Sequence, residues 1–455
     1  MKHNYWYIAA AAALWFLLLP GCTNRKVSPT EEPESQLPPA APLPSTANSD
    51  AQTLRFLQDK IKADPDDFIA QNKLAAWHLQ RLRETGDLAS LEIAMKAARA
   101  SLATLPAEHN TGALTLLAQA EFTAHEFAAS RDHAERLIQL EPGKGYPFEI
   151  LGDALLEIGE YERAETAFRE FDLSGGIQGL TRVAIEQRMS RLALLHGDEE
   201  TAERRMLNAL KTALSLPVPP PETVAWCRWQ LGELAFGAGK YAAAEKHYRD
   251  ALTTVPGYFR ALASLGRVRA ARGDLSDAIA QLEHATNIIP DPSFVAALGD
   301  LYRRVGRDDD AEKQYKLVEA IGKITVYSRQ QALFYADHDM RRQEAYSIAV
   351  KEYSLRKDVY GADSVAWTAL KAGRFTEAQV AIEEALRLGT RDAKLFYHAG
   401  QIALALGNDA SALSYFQRAS ALNPEFDPLQ AAIMKTLLSK LSVGAAEHSS
   451  LDINR

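Results

Sequence analysis

The sequence is poor in cysteine: Cys22 and Cys227 are the only two among 455 residues. A disulfide framework is therefore excluded as the source of stability, and packing has to hold the fold together. No apolar run reaches the roughly 20 residues that a membrane-spanning helix needs. Basic residues show no excess: the net charge is −8 and the pI near 5.8, which removes the broad basic stripe of a nucleic-acid binder. The eleven histidines are dispersed, with no His-x-His and no His-Glu-x-x-His. A Gly-x-Ser-x-Gly elbow is also missing. No cofactor or metal is called for by any of these patterns, and no catalytic constellation stands out.

What is present begins with an address. Met1-Lys2-His3 precedes an apolar run from Ile8 to Leu19 that closes on Leu19-Pro20-Gly21-Cys22, the layout of a secretory signal over 1–21. The closing residues resemble the lipobox of bacterial lipoproteins, with Pro20 where Ala or Ser is usual. The resemblance implies acylation of Cys22 and a stable anchor, since several chains on one residue hold far better than one. Thr23, where Asp would mark inner-membrane retention, implies the outer membrane, facing the periplasm. Residues 23–50 hold six prolines and no aromatic residue. Such a stretch cannot offset its ordering entropy by burial, and an extended tether of this length reaches at most roughly 90 Å.

Beyond residue 50 one spacing dominates. Ala244, Ala278, Ala311, Ala345, Ala378 and Ala412 are separated by 34, 33, 34, 33 and 34 residues. Gly239, Gly273, Gly306, Gly373 and Gly407 stand five residues before five of them, and Gly232, Gly266, Gly299 and Gly400 seven residues earlier still. Pro256, Pro290 and Pro424 close units. A period near 34 with these marks means stacked helix pairs. The earlier glycine allows close helix approach, the later one ends helix A in a left-handed turn, the alanine sits at the crossing, and proline stops helix B.

Leu231-Gly232, Gly239, Tyr241, Ala244, Tyr248, Ala251 and Pro256 resemble the tetratricopeptide repeat, as do Leu265-Gly266, Gly273, Leu275, Ala278, Leu282, Ala285 and Pro290. The resemblance implies an all-α, right-handed superhelical solenoid of about ten helix pairs. Looser units stand near 111–142, at Gly152, Gly159, Tyr161, Ala164 and Phe168, and at Gly197 and Ala202. Pro217, Pro219, Pro220 and Pro221 suggest a boundary between an irregular array, 51–216, and a regular one, 222–426. Apolar residues at 429, 433, 437, 438 and 441 predict a helix covering the last face, within a capping segment and polar tail over 427–455.

Two local patterns carry weaker readings. Gly237-Ala238-Gly239-Lys240 lacks the spacing of a phosphate loop and falls on an inter-helix turn. Asp337, His338 and Asp339 could hold a metal or an acid–base pair, but the register puts them at the end of a helix A facing solvent. Cys227, in an apolar helical stretch, reads as a structural thiol.

The resemblance also implies that helix A of each unit lines the inner face. Its register selects Trp226, Trp229, Glu233 and Phe236, then Arg260 and Arg267, then Asp300, Arg303 and Arg304, then Tyr327 and Phe334, then Tyr360, Asp363 and Trp367. Aromatic residues and arginines carry interface energy, so these residues predict a groove for an extended peptide or helix of acidic character. The expected function is a non-catalytic scaffold for envelope proteins. The alternatives are a receptor for a small molecule or glycan, which needs a closed apolar pocket, and an enzyme hidden on the solenoid.

Overall fold

Several helices begin where a side chain satisfies the free amides of the first turn. Asp67, Asp198, Asp274, Asp358, Asp392 and Asn408 all accept from backbone amides inside the helices they precede, as N-caps should. The computed structural model describes residues 37–42, 47–174, 179–324, 326 and 328–453, and among them there are 22 helices and no strand. The expected signal, Cys22 and most of the expected tether lie outside the described residues. Helix α1 (Ala47–Ala63) starts inside the span expected for the tether, so the ordered array begins slightly earlier than position 51. Residues 38–455 form one unit.

Ten antiparallel pairs follow. They are α2 (Phe68–Thr85) with α3 (Leu88–Thr104), α4 (Thr111–Thr123) with α5 (Phe127–Leu140), α6 (Tyr146–Ile158) with α7 (Tyr161–Ser174), and α8 (Gly179–Leu195) with α9 (Glu199–Leu214). The series continues as α10 (Pro221–Gly237) with α11 (Tyr241–Thr254), α12 (Phe259–Ala271) with α13 (Leu275–Ile288), and α14 (Pro292–Arg304) with α15 (Asp308–Ile321). Next come α16 (Ser328–Asp337) with α17 (Arg342–Leu355), α18 (Val359–Lys371) with α19 (Phe375–Leu386), and α20 (Ala393–Ala405) with α21 (Asp409–Leu422). The C-terminal helix α22 (Gln430–Ile453) packs Met434, Leu437, Leu438 and Leu441 on α20 and α21, while Ile433 of the expected stripe faces outward.

The repeat marks do the jobs their spacing suggests. Ala244, Ala278, Ala311, Ala345, Ala378 and Ala412 are all 0% exposed, where helix B crosses helix A. A Cβ on Gly232 would collide with the ring of Tyr248, and one on Gly299 would lie 2.6 Å from the ring of Tyr315. Gly152 meets Phe168, and Gly400 meets Phe416, in the same way. Gly239 has φ +69 and Gly407 φ +76, the left-handed turn that ends helix A. In the α16–α17 turn, which has no glycine, Asp339 takes φ +55 instead. Across 215–220, α9 and α10 pack directly, and Pro221 occupies the first turn of α10. The proline cluster is a short loop inside a continuous stack.

The stack also meets itself. The turn between α6 and α7 touches the loop between α17 and α18: a side chain on Gly159 would strike the Lys357 carbonyl, and the Tyr161 hydroxyl accepts from the Val359 amide at 2.8 Å. Gly197, between α8 and α9, packs on Gly389 and Arg391 in the α19–α20 loop. Gly239 packs on Leu422, and the Tyr241 hydroxyl donates to Asn423 Oδ1 at 2.6 Å. Gly86, after α2, meets Ile289. In all four cases the partner loop lies eleven helices further along the chain. The seam buries Glu157 between Arg191 and Arg356, and although burial opposes it, the two guanidiniums hold its carboxyl below the usual range.

The glycine–ring contact yields a test with an internal control in one helix. Gly232→Ala should cost about 1–3 kcal/mol through overpacking against Tyr248. Gly237→Ala, with nothing within 4 Å of its would-be Cβ, should change stability by less than about 1 kcal/mol. Hydrogen exchange of the α10 and α11 amides reads both. Equal effects would refute the assignment.

Candidate functional site

Consecutive A helices set one side chain per turn on the same face. On α10 the rings of Trp226 and Trp229 stand edge to face with centroids 6.3 Å apart. Trp229 Nε1 donates to Ser264 Oγ of α12 at 2.9 Å. The Arg260 guanidinium lies 5.4 Å from the Trp229 ring and 5.0 Å from that of Phe259, within range of a cation–π attraction. These three predicted residues therefore come together, both tryptophans half-exposed. Ser264 and Phe259, which complete the cluster, carry no signal in the sequence beyond their place on an apolar helix.

Arg267 is held differently. Its Nη2 donates to Glu233 at 2.6 Å, and its guanidinium covers the Phe236 ring at 4.8 Å. Glu233 also accepts from the hydroxyls of Tyr248 and Ser264, each at 2.7 Å. Burial pushes the Glu233 carboxyl up, but Arg267 and the hydroxyls hold it below the usual range. Arg267 is thus a brace between α10 and α12, with its charge already balanced.

On α14, Arg303 and Arg304 are both exposed. Arg303 sits 4.8 Å from the Tyr315 ring. Among the described residues, neither Arg303, Arg304 nor Arg260 has a carboxylate at ion-pair distance. These three cations and the two tryptophans remain open to a ligand.

Further along, the predicted face gives way to packing. Tyr327 lies outside the described residues. Phe334 is buried beside Tyr315 and His338. Tyr360 packs against the cluster of α6 and α8 residues containing Leu151, Leu155 and Leu192, so it belongs to the seam. Trp367 is 2% exposed; its ring stacks on the His398 imidazole at 4.2 Å and 10°, and its Nε1 donates to Asp337 Oδ1 at 2.7 Å. The aromatic stripe of α18 is core, because the neighbouring α20 and the seam close over it.

Asp337, His338 and Asp339 diverge. Asp337 accepts from Trp367, from Lys394 at 3.1 Å and from Gln430 at 2.6 Å. His338 Nε2 bonds Asp300 at 2.7 Å, which holds its pKa above the ordinary value against the effect of burial. Asp339 turns outward to Lys371 at 3.0 Å. Among the described residues no group of three His, Cys, Asp or Glu side chains could hold a metal. Cys227 is fully buried, with Gln187 Nε2 at 3.3 Å from Sγ, and burial pushes its thiol up to about 12, far from the reactive range.

If Trp367 is core and Arg303 is surface, the two should behave oppositely. Trp367→Ala should cost about 3–5 kcal/mol, whereas Arg303→Glu should stay within about 0.5 kcal/mol. Thermal unfolding distinguishes them, and a stable Trp367→Ala variant would return that residue to the binding face.

Models of the Tetratricopeptide repeat match residues 115–175, 235–301 and 366–425. No curated protein matches the chain. Among solved structures, a tetratricopeptide repeat protein from Parabacteroides merdae ATCC 43184 is similar at 20% identity, with 58% of this chain and 99% of that one covered and a TM-score of 0.33. Yeast Tom70 is similar at 11% identity, over 88% of this chain and 93% of that one, with a TM-score of 0.38. Cut9–Hcn1, the APC/C hetero-tetramer, is similar at 12% identity over 87% and 94%, with a TM-score of 0.33. Over those matched residues this chain carries tetratricopeptide repeats, and its described residues form an all-α solenoid of stacked helix pairs.

Proposed function

We propose that this protein is a non-catalytic adaptor of the bacterial envelope, anchored through lipid on Cys22, that binds an acidic, extended segment of another protein on α10, α12 and α14. Tetratricopeptide repeats generally bind other proteins or peptides. The observations that carry the specific reading are the open cluster of Trp226, Trp229 and Arg260 and, on α14, the exposed Arg303 and Arg304, which have no carboxylate at ion-pair distance among the described residues. Aromatic rings give area at low entropic cost, and guanidiniums without an internal carboxylate await an external one. The expected groove shortens accordingly: Arg267 positions Glu233, and Tyr360 and Trp367 pack inside.

The partner test is a pull-down from detergent-solubilised envelope with the parent chain and the Arg260→Glu, Arg303→Glu double variant. The parent should recover a partner that the variant loses by about tenfold or more. Equal recovery would remove the cluster from the binding site.

The anchor is tested separately. Cys22→Ala should move the protein from the membrane pellet to the soluble fraction, and intact-mass measurement should show loss of the acyl chains. A variant still sedimenting with membranes would disprove lipid tethering, whatever the partner result.

A further inference from the structure

The B helices present a face of their own, and one part of it breaks the pattern. The residue two positions after each crossing alanine is polar or small along most of the array: Thr166, Arg204, Lys246, Ala280, Lys313, Ser347 and Ser414. On α19 it is Val380, 65% exposed. Three residues further along stand Arg169, Arg249, Glu283 and Lys316 in other units, but α17 carries Val350, 41% exposed. Between these two parallel B helices a depression of about 760 Å³ opens, with Val365 of α18 at its floor, Tyr353 on one wall, and Val380 and Ala381 on the other. Its rim on α19 is acidic, with Glu377 and Glu383. Among the described residues Glu377 meets only the exposed Arg374, at 3.2 Å, and Glu383 accepts from the neutral Gln379 at 3.0 Å.

From this arrangement we infer that the α17–α19 groove is a second docking site, which takes an amphipathic helix of a partner protein carrying arginines beside its apolar stripe. An apolar-floored trough between two B helices is the surface used in the helix-in-groove mode, in which apolar residues at i and i+4 fill the trough. The exposed Val380, at a position that is polar or small in the other units, leaves apolar surface in the trough that a partner's apolar stripe would take out of water. The carboxylates on the rim select a basic flank, since a like-charged one would be repelled. The chain shows the same chemistry internally: at the seam, Arg387 lies 4.8 Å from the Tyr161 ring and Arg356 5.8 Å from that of Phe127. At the equivalent first position of α19, Phe375 is 45% exposed, with no such arginine over it among the described residues. The site is distinct from the α10–α14 cluster and opposite to it in charge, so it stands whether or not that assignment holds.

The test uses the full chain in detergent and fluorescence anisotropy with two labelled 18-residue helical probes. One carries leucines at i and i+4 flanked by arginines; the other has glutamates in place of the arginines. The arginine probe should bind saturably and the glutamate probe should not. Val380→Asp, at an exposed position, should weaken the arginine probe by at least about tenfold, Glu383→Gln by about threefold, and Arg260→Glu not at all. Equal binding of the two probes, or parental affinity in Val380→Asp, would overturn the proposal. A concentration-dependent dimer of the parent chain that Val380→Asp abolishes would also overturn it, by assigning the groove to a second copy.

Discussion

The structure depends on an aromatic ring packed against a glycine. In the pairs built on Gly152, Gly232, Gly299 and Gly400, a Phe or Tyr from helix B rests where a Cβ of helix A would be. That contact sets the spacing of each pair, and the buried alanine at the crossing sets its angle. Where the ring is tyrosine it reaches further. The hydroxyls of Tyr248 and Tyr315 donate to Glu233 and Asp300, and those carboxylates in turn orient Arg267 and His338. The core therefore positions the charges of the inner face, and a change of ring type would be felt in both places.

Everything that repeats was readable from the residues. The alanine spacing, both glycines and the closing prolines predict the regular pairs and their turns, and the resemblance about ten pairs in all, because each mark answers to a contact within one unit. What depends on the distance between units was not. Tyr161 and Tyr241 read as ordinary first residues of helix B, yet their hydroxyls meet backbone or side chains 180 or more positions away. The two tryptophans show the limit well. Trp229 and Trp367 fall on the same helical face by register, but α20 and its His398 cover one, whereas Trp226, Ser264 and Arg260 approach the other and leave it half-exposed. A register of one helix says which way a side chain points; it does not say what the next helix brings to meet it.

Charge is divided between the faces by the same logic. The A helices pair most of their acidic groups with cations on the neighbouring helix, as in Glu233 with Arg267 and Asp337 with Lys394. The surplus left exposed on α12 and α14 is cationic. On α19 the surplus is anionic and lies beside the exposed Val380. A mildly acidic net charge thus conceals two patches of opposite sign, which average composition could not separate.

The seam has a consequence for how such a chain can change over time. Its four contacts share an offset of eleven helices, five and a half repeats, so the turns inside early pairs always meet loops between later pairs. Adding or deleting one whole repeat between them would shift the offset by two helices and part all of those contacts together. A repeat added in the middle of this array would therefore cost those contacts, whereas one added at either end would leave them in place. The repeat number between the turns is as much a fixed character of this protein as any single residue.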